Sequence, residues 1–391
     1  MKAMNSSGTK KGAEASDLDE EIEIDFPDEE PSEDGTDEEP FMEEPFNPNE
    51  INIISKQDSL NNLVKRLDHG EIDMNTDFQR EAELWKNKQM SRLIESILIR
   101  IPLPAFYFDA TDDDKWLVVD GLQRLSSIKK FVVDKKLSLN GLEYLEDLHG
   151  ATYDDLPRTY QRRIDECSIT IFLIQPGTPD EVKYSIFRRI NTGGLTLNFQ
   201  EIRNALASPR LRSYLRGLSK NKYMKKTIGA NTKRMQGQEL ALRFLAFYTM
   251  NYLETKKNIT VFLDEMMVKL EEMNKDELNL LGEKYRTALK RSWNIFGETA
   301  FEKITDNGET VKRRRKNSTL FEVWTVALAR LPEDGIDRLA AKKEILQKKH
   351  IRLITNDEIY FRSITFSTQT KNSYRIRCEK VQKLINEVLD A

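Results

Sequence analysis

The sequence predicts an α+β fold, in which a small mixed sheet with helices is followed by an all-α C-terminal domain. Short strand-like apolar runs are confined to the chain before residue 175, whereas helical periodicity continues from Pro209 to the end. The first 48 residues show neither pattern. We therefore predict three regions: an acidic tail at residues 1–48, an α+β domain at residues 49–207 and a helical domain at residues 208–391.

The charge of the chain is distributed unevenly. Residues 1–50 contain 18 Asp and Glu against 3 Lys, a net charge of −15, and the remaining residues contain 47 acids and 58 bases, a net charge of +11. The two parts add up to −4. A basic body is typical of a protein that binds a polyanion, because neutralised phosphates release their counterions. A solvated lysine-rich surface is the alternative.

We expect the tail at residues 1–48 to be disordered, because it combines many acidic residues with five prolines and has no hydrophobic period. Two apolar islands, Ile22–Ile24 and Phe41–Met42, are candidate docking segments for a partner. One alternative is a plain solubilising tail. Another is a tail that competes with nucleic acid for the basic body.

In the α+β domain, apolar residues at helical spacing predict helices at residues 59–67 and 86–100. Apolar runs at residues 105–108 and 116–119, separated by an acidic turn, predict a hairpin. A further buried strand is predicted at residues 168–174.

The remaining elements are helices. Gly121 opens one directly after the second hairpin strand, and Thr178 to Glu181 start another, with a threonine cap followed by proline. The paired glycines at 193 and 194 end that helix, and Asn198 is the predicted cap of the next one. In the helical domain the periodicity is clearest at residues 238–253, 259–273, 276–296, 319–330 and 376–389.

The strongest local signal is the run from Val118 to Arg124, at a strand-to-helix junction. Such a junction directs unpaired backbone N–H groups and a positive dipole end outwards. Gly121 allows a phosphate to approach the backbone closely, and Arg124 offers forked donors to phosphate oxygens. Asp120 is suited to hold a metal, to orient a water or to cap the helix. A capped structural turn is the alternative for the whole run.

Two further clusters contain polar side chains of the kind that a nucleotide pocket needs. Asp77 to Arg80, followed by Trp85, places Gln79 and Arg80 beside aromatic residues, although an ordinary surface loop would show the same pattern. Arg188 to Gly194 combines two arginines with Asn191 and two glycines. These residues are suited to clamp phosphate, and equally to form a charged helix end.

Two acidic residues are candidates for the same pocket. Glu95 lies on the predicted helix at 86–100, and Glu201 lies on the helix after Asn198. We consider both as additional carboxylates.

Taken together, these motifs resemble the DGQQR domain family, which includes the N-terminal domain of GmrSD-type modification-dependent restriction enzymes. The resemblance covers about residues 53–207, with the motifs in the family's order. The closing segment, from Phe366 to Arg377, also resembles free-standing members of the family. The matching stretches in the first half are Phe78-Gln79-Arg80, Trp85, Leu93 to Leu98, Ile101 to Pro104, Val118 to Leu125, Arg189 to Leu197 and Glu201 to Ala205.

The resemblance implies a ParB/sulfiredoxin-like fold whose motif binds or hydrolyses a nucleoside triphosphate with Mg²⁺. In relatives this activity is coupled to nuclease action on modified phage DNA. The residues on the motif are Asp120, Gly121, Gln123 and Arg124, of which Asp120, Gln123 and Arg124 are the candidate catalytic residues. Leu122 departs from the family's first glutamine, which places hydrolysis in doubt more than binding. The candidate nucleotide-binding residues are Gln79, Arg80, Gly121, Arg124, Arg189, Asn191, Gly193 and Gly194.

We predict no nuclease site and no metal site built from the chain's own histidines and cysteines. Relatives that cut DNA often carry an HNH-type domain, which needs clustered His and Asn around a metal. Here His69, His149 and His350 are not paired at ligand spacing, and Cys167 and Cys378 are far apart. Cleavage would therefore require a separate nuclease or effector protein.

The helical domain contains one strongly basic run. Lys312, Arg313, Arg314, Arg315 and Lys316 follow a predicted turn and are candidate nucleic-acid-binding residues, with a solvated basic loop as the alternative.

The function that we expect is a nucleotide-binding and DNA-binding component of a defence system against foreign or modified DNA. The alternatives are a non-catalytic nucleic-acid-binding adaptor and a protein-interaction scaffold. No run approaches the roughly 18 apolar residues of a membrane helix, and the polar N-terminus is unlike a signal peptide, so we expect a cytoplasmic protein. Self-association into a homo-oligomer is left open.

Overall fold

The computed structural model describes residues 23–25, 51–74, 85–190, 198–229, 234–305 and 315–391. Within them the chain forms a small mixed sheet with helices and a helical C-terminal half, which confirms the predicted α+β class. The strands are β1 Glu23–Asp25, β2 Ile53–Ser59, β3 Ile72–Asp73, β4 Phe106–Asp109, β5 Trp116–Asp120, β6 Ser168–Ile174 and β7 Arg315–Asn317.

The predicted helices form in both halves, and Arg158–Asp165 is an additional helix that the sequence did not predict. The first half contains α1 Leu60–Asp68, α2 Asn87–Leu98, α3 Leu122–Ile128, α4 Arg158–Asp165, α5 Asp180–Ile190 and α6 Phe199–Leu206. A π-helical turn, Lys129–Val133, continues α3. The second half contains α7 Pro209–Ser219, α8 Lys222–Thr227, α9 Gln236–Thr249, α10 Ile259–Glu272, α11 Lys275–Phe296, α12 Ser318–Arg330, α13 Glu333–Ala341, α14 Lys343–Asn356, α15 Glu358–Ser363 and α16 Lys371–Asp390.

The main sheet has five strands in the order β2-β6-β4-β5-β3. Strands β4 and β5 pair antiparallel, as the predicted hairpin requires, with Phe108 opposite Val118. Strand β6 pairs antiparallel with β2 and parallel with β4, and β3 pairs parallel with β5. The sheet is therefore mixed.

The central strands β4 and β5 are covered on both faces, because their apolar residues alternate between two cores. Phe106, Phe108 and Val118 face a smaller core that also contains residues of α1, α2, α3 and α4. Val119 and Ile174 face the opposite way, into the core of the helical half. The helical half therefore packs against the second face of the sheet.

The core of the helical half is the larger of the two cores. This larger core does not divide at the predicted boundary between residues 207 and 208. Ile202 and Ala207, from the α+β side, belong to the same apolar cluster as Leu211 and Leu215 on α7. Arg212 on α7 also donates to the carboxylate of Asp73 on β3 at 3.2 Å. Packing joins the two halves here.

A buried charge network holds the helical half together. The Glu322 carboxylate accepts from Arg243 at 2.6 Å and from Arg377 at 2.9 Å, and Arg243 also donates to Glu239 at 2.8 Å. Burial disfavours the charged form, but Glu239 and Glu322 outweigh this and raise the pKa of Arg243 above its ordinary value. The network links α9, α12 and α16 through charges that stay paired.

The tail departs from the expected disorder at one place. Glu23–Asp25 forms β1, which pairs parallel with β7, and the Ile24 side chain is buried in the larger core. Residues 1–22 and 26–50, including the second apolar island at Phe41–Met42, lie outside the described residues.

Among the described residues, no helix has both the length and the apolar character that crossing a bilayer requires.

His350 gives the core of the helical half a dependence on pH. Its Nε2 lies 3.2 Å from the indole N–H of Trp324, which can only donate, so the imidazole accepts and is neutral. Burial lowers the pKa of His350 from 6.5 to about 3. The unfolded chain therefore takes up a proton below pH 6.5 that the folded chain excludes.

We expect acid to destabilise the native chain relative to the His350→Gln variant, whose amide oxygen keeps an acceptor for Trp324 but does not titrate. Between about pH 6.5 and pH 3 the wild type should lose about 1.4 kcal/mol more stability per pH unit than the variant. Above pH 7 the difference between the two proteins should be constant. Urea unfolding at pH 7.5, 5.5 and 4.5 measures this, and parallel pH profiles at all three values would contradict it.

Candidate functional site

The predicted strand-to-helix junction lies where β5 ends and α3 begins. Gly121 adopts φ +99°, in the left-handed region that favours glycine. A Cβ at this position would lie 2.5 Å from Cδ1 of Phe106 on β4. In this structure the glycine is therefore required by the close approach of an aromatic ring.

Arg124 ties the junction to the start of β4. Its guanidinium donates to the carbonyl oxygens of Pro104 and Ala105 and, at 2.9 Å, to the carboxylate of Asp120. It also stacks on the Phe106 ring, 4.5 Å from the centroid. These contacts occupy three of its five N–H donors. Burial lowers the pKa of Arg124, an effect that Asp120 opposes.

Asp120 is the more accessible member of this ion pair. Its side chain is 35% exposed, against 11% for Arg124. It makes no capping hydrogen bond to α3, whose cap position is Gly121. The Asp120 carboxylate therefore orients Arg124 and still meets solvent.

Gln123 connects the motif to the segment that contains Gln79 and Arg80. Its side-chain oxygen accepts from the backbone N–H of Trp85 at 3.1 Å. Residues 75–84 lie outside the described residues, so the placement of Gln79 and Arg80 stays a prediction. Trp85, the first described residue after that segment, is nevertheless bonded to the motif.

Helix α5 ends within the third cluster, Arg188 to Gly194, and helix α6 follows this cluster in the sequence. Both helices pack against β5, and Phe187 and Ile202 share a core with Val119, one residue before Asp120. Arg189 is exposed near the end of α5. Asn191, Gly193 and Gly194 lie outside the described residues.

Residues 60–208 match a family model described as GmrSD restriction endonuclease, N-terminal domain. The chain carries a GmrSD N-terminal-type domain. This confirms the domain that the motifs suggested for this part of the chain, and the helical half lies beyond the matched region. No curated protein and no solved structure was found to match the chain.

Glu95, in the GmrSD N-terminal-type domain, anchors a loop from inside the core. Its carboxylate accepts from the backbone N–H groups of residues 143, 144 and 145 at 2.7–3.0 Å. Desolvation raises its pKa, but these three donors and Arg92 outweigh it, so the pKa lies below the ordinary value.

Glu201 also has a structural role, in a helix cap and an ion pair. It forms a capping box with Asn198, the predicted helix cap, whose side chain accepts from the Glu201 N–H at 2.8 Å. Its carboxylate also accepts from Arg234 at 2.6 and 3.1 Å. The sequence makes Glu95 and Glu201 candidates for pocket carboxylates, and the structure gives each of them an anchoring role instead.

The basic run enters the described structure at its last two residues. Arg315 is exposed, whereas Lys316 is 3% exposed. The Lys316 ammonium donates to the carbonyl oxygens of Glu298 and Ala300 at 2.5 and 3.0 Å and to the Glu302 carboxylate at 2.9 Å. Lys316 is thus held inside, away from the surface where a phosphate backbone would meet it. Lys312, Arg313 and Arg314 lie outside the described residues.

Sequence reasoning missed the residues that shape the junction from β4. The Phe106 ring leaves no room for a side chain at Gly121, and the carbonyls of Pro104 and Ala105 hold Arg124. These groups lie on the other side of the hairpin turn from the motif, 20 and 19 positions before Arg124 for the two carbonyls. The available signal is the run Ile101 to Pro104, which by itself predicts only a helix end. The buried ion pair of Asp109 with Lys183, at 3.2 Å, was also missed, because its members lie far apart in sequence.

The role of Gly121 can be separated from ordinary backbone strain. Gly150→Ala should lower the free energy of unfolding by about 1–2 kcal/mol, because at φ +86° the new Cβ meets nothing within 4 Å. Gly121→Ala should cost roughly 2 kcal/mol more, because its Cβ also overlaps the Phe106 ring. Chemical denaturation of both variants measures the difference. Equal losses would show that Phe106 does not restrict the junction.

Proposed function

We propose that this chain is a nucleotide-binding and DNA-binding component of a restriction system directed against foreign DNA, with cleavage carried out by a separate nuclease. The matched domain type is, by its description, part of restriction endonucleases, and this supports a role in restriction-type defence. The nucleotide site proposed is the junction between β5 and α3.

The observation that carries this proposal is that residues flanking two of the motifs contact the third motif or the strand that leads to it. Trp85, which follows the Gln79-Arg80 segment, is bonded to Gln123 of the junction. Helices α5 and α6, which border residues 191–197, pack on the strand that ends at Asp120. These contacts of the flanking residues support the proposal that the three stretches form one site beside Asp120.

The junction offers suitable groups for a triphosphate. The first-turn N–H groups of α3 lack partners within the helix, and the helix dipole favours negative charge there. Gln79, Arg80, Arg189, Asn191 and the glycines 193 and 194 would contact the nucleotide. A magnesium ion beside phosphates needs only one or two protein carboxylates, and Asp120, which meets solvent, fits this need. The ion would neutralise charge on the phosphates.

DNA binding is supported by charge. The chain beyond residue 50 has a net charge of +11, and Arg315 is exposed at the end of the basic run. Lys312, Arg313 and Arg314 would contribute further contacts to phosphates. Lys316 would support the run from inside.

A specific observation also favours a second candidate, an adaptor that binds nucleic acid without nucleotide hydrolysis. Arg124 is engaged with Pro104, Ala105 and Asp120, which is a structural role. Leu122 replaces a motif glutamine and packs against the smaller core. If the protein is such an adaptor, the junction between β5 and α3 has only a structural role.

Calorimetric titration with ATP, GTP, CTP and UTP, with and without Mg²⁺, separates the two candidates. The informative variant is Asp120→Asn, which keeps an acceptor for Arg124 but removes the charge that would hold the metal. We expect it to weaken binding by about tenfold, or about 1.4 kcal/mol, in the presence of Mg²⁺ and much less in its absence. Gln79→Ala and Asn191→Ala should weaken binding in both conditions.

The matched control is Arg162→Ala, which removes an exposed side chain on α4 and should leave nucleotide affinity unchanged. Phosphate release, assayed on the same mixtures, distinguishes hydrolysis from binding. If none of the four nucleotides binds to the wild-type protein, the nucleotide site is wrong, and DNA binding by the same protein would then support the adaptor. Arg124→Ala is a poor test, because it would also free the start of β4.

A further inference from the structure

Helix α8 carries three lysines on its exposed side. Lys222, Lys225 and Lys226 are exposed, whereas Met224 and Thr227 are almost completely buried. Met224 belongs to the larger core, so the helix is held by its other side. The three lysines therefore lie where the helix faces solvent.

Two aromatic rings position the ends of these side chains. The Lys226 Nζ lies 5.0 Å from the centroid of the Trp293 ring on α11 and 5.9 Å from that of the Tyr223 ring. The Lys222 Nζ lies 5.1 Å from the Tyr223 centroid. The quadrupole of a ring attracts an ammonium group, so these charges are positioned without a carboxylate. Lys290, which is exposed one turn before Trp293, extends the basic surface onto α11.

We refer to Lys222, Lys225, Lys226 and Lys290 as the lysine face. In the part of the chain that the structure describes, none of these four lysines forms an ion pair. Glu283, the acid nearest to Lys290 along α11, is paired with Arg286 instead. Exposed lysines elsewhere do find carboxylates, as Lys135 does with Asp154. The lysine face therefore carries uncompensated positive charge, which an anionic partner would neutralise.

One short turn connects the lysine face with the end of the basic run. Helix α8 packs against the turn Gly297–Thr299, which directly follows α11. The Lys316 ammonium donates to the Glu298 carbonyl of this turn, and Arg315, the neighbour of Lys316, is exposed. The basic surface of α8 thus adjoins the part of the helical half from which Arg315 reaches solvent.

We propose that the lysine face binds the phosphate backbone of DNA. The inference rests on the DNA binding proposed above and assigns it a surface. An ammonium group binds phosphate as a point charge, so this surface recognises charge and not sequence. The ammonium of Lys316 is occupied by three oxygens of the protein, whereas the lysine face breaks no ion pair when it meets a phosphate.

The test compares two variants of the full-length chain, each with three exposed lysines replaced by glutamine. The lysine-face variant carries Lys222→Gln, Lys225→Gln and Lys226→Gln. The control variant carries Lys343→Gln, Lys348→Gln and Lys383→Gln, on α14 and α16. The helices of the control lysines also carry the exposed acids Glu344, Glu379 and Glu387.

Both variants lose three positive charges, and glutamine has nearly the helix propensity of lysine. A general effect of net charge would therefore be equal in the two variants. A difference between them reports binding at the lysine face.

Affinity for a random-sequence duplex of about 30 base pairs is measured over a range of salt concentrations. Each phosphate neutralised by the protein contributes about 0.9 to the slope of log affinity against log salt. We therefore expect the lysine-face variant to lower this slope by roughly 2 to 3 and to bind at least about tenfold more weakly at about 100 mM salt. The control variant should keep the slope of the wild type.

Chemical footprinting locates the contact independently. Acetylation of the wild-type protein, read by mass spectrometry, should be reduced by the duplex at the lysine face and unchanged at Lys343, Lys348 and Lys383. Equal affinities of the two variants, or a lysine face that stays reactive in the complex, would overturn the lysine face and leave the DNA binding in place. If the wild type does not bind the duplex even at about 50 mM salt, the proposed DNA binding itself fails, and the lysine face with it.

Discussion

The candidate site at the junction between β5 and α3 depends on one set of contacts, made by the guanidinium of Arg124. It holds the carbonyls of Pro104 and Ala105, the carboxylate of Asp120 and the face of the Phe106 ring. These groups come from the start of β4 and the end of β5, and Arg124 itself lies in the first turn of α3. Because a guanidinium presents its donors in a rigid plane, it fixes the relative positions of all three elements. The same contacts press Phe106 against Gly121, which leaves room for no side chain there.

This local constraint is joined to the helical half by polar contacts that flank the site. Arg212 bonds Asp73 on the edge strand, shortly before the segment that contains Gln79 and Arg80. Arg234 donates to the Glu201 carboxylate at the start of α6, shortly after residues 191–197 in the sequence. Both arginines belong to the helical half, and the apolar core is continuous with the second face of the sheet. Packing and ion pairs on both sides of the junction therefore connect it to the helical half.

Local rules predicted the features that depend on nearby residues. The β4–β5 hairpin, the junction at Gly121 and the helix cap at Asn198 each follow from a few consecutive positions. The features that could not be predicted depend on distant partners. Lys316 belongs by sequence to a surface run, but its ammonium finds three oxygens between residues 298 and 302. Ile24 lies in a tail that the sequence predicts to be disordered, with Ile22–Ile24 as a candidate docking segment for a partner. Its pairing with a strand of the helical half of the same chain could not be predicted, because no local pattern encodes that pairing.

The residues of the motif have different roles, and the departure at Leu122 affects only one of them. Leu122 is half-buried against the smaller core, so an apolar side chain contributes packing where the family has an amide. Its neighbours keep their polar roles: Gln123 holds Trp85, and Asp120 orients Arg124 while meeting solvent. The substitution therefore removes one polar group from the junction without disturbing the clamp around Arg124. If the junction binds a triphosphate as we propose, this chain keeps the backbone that would position the phosphates and lacks one group that could respond to their hydrolysis. That combination favours a nucleotide that acts as a bound effector over one that is turned over.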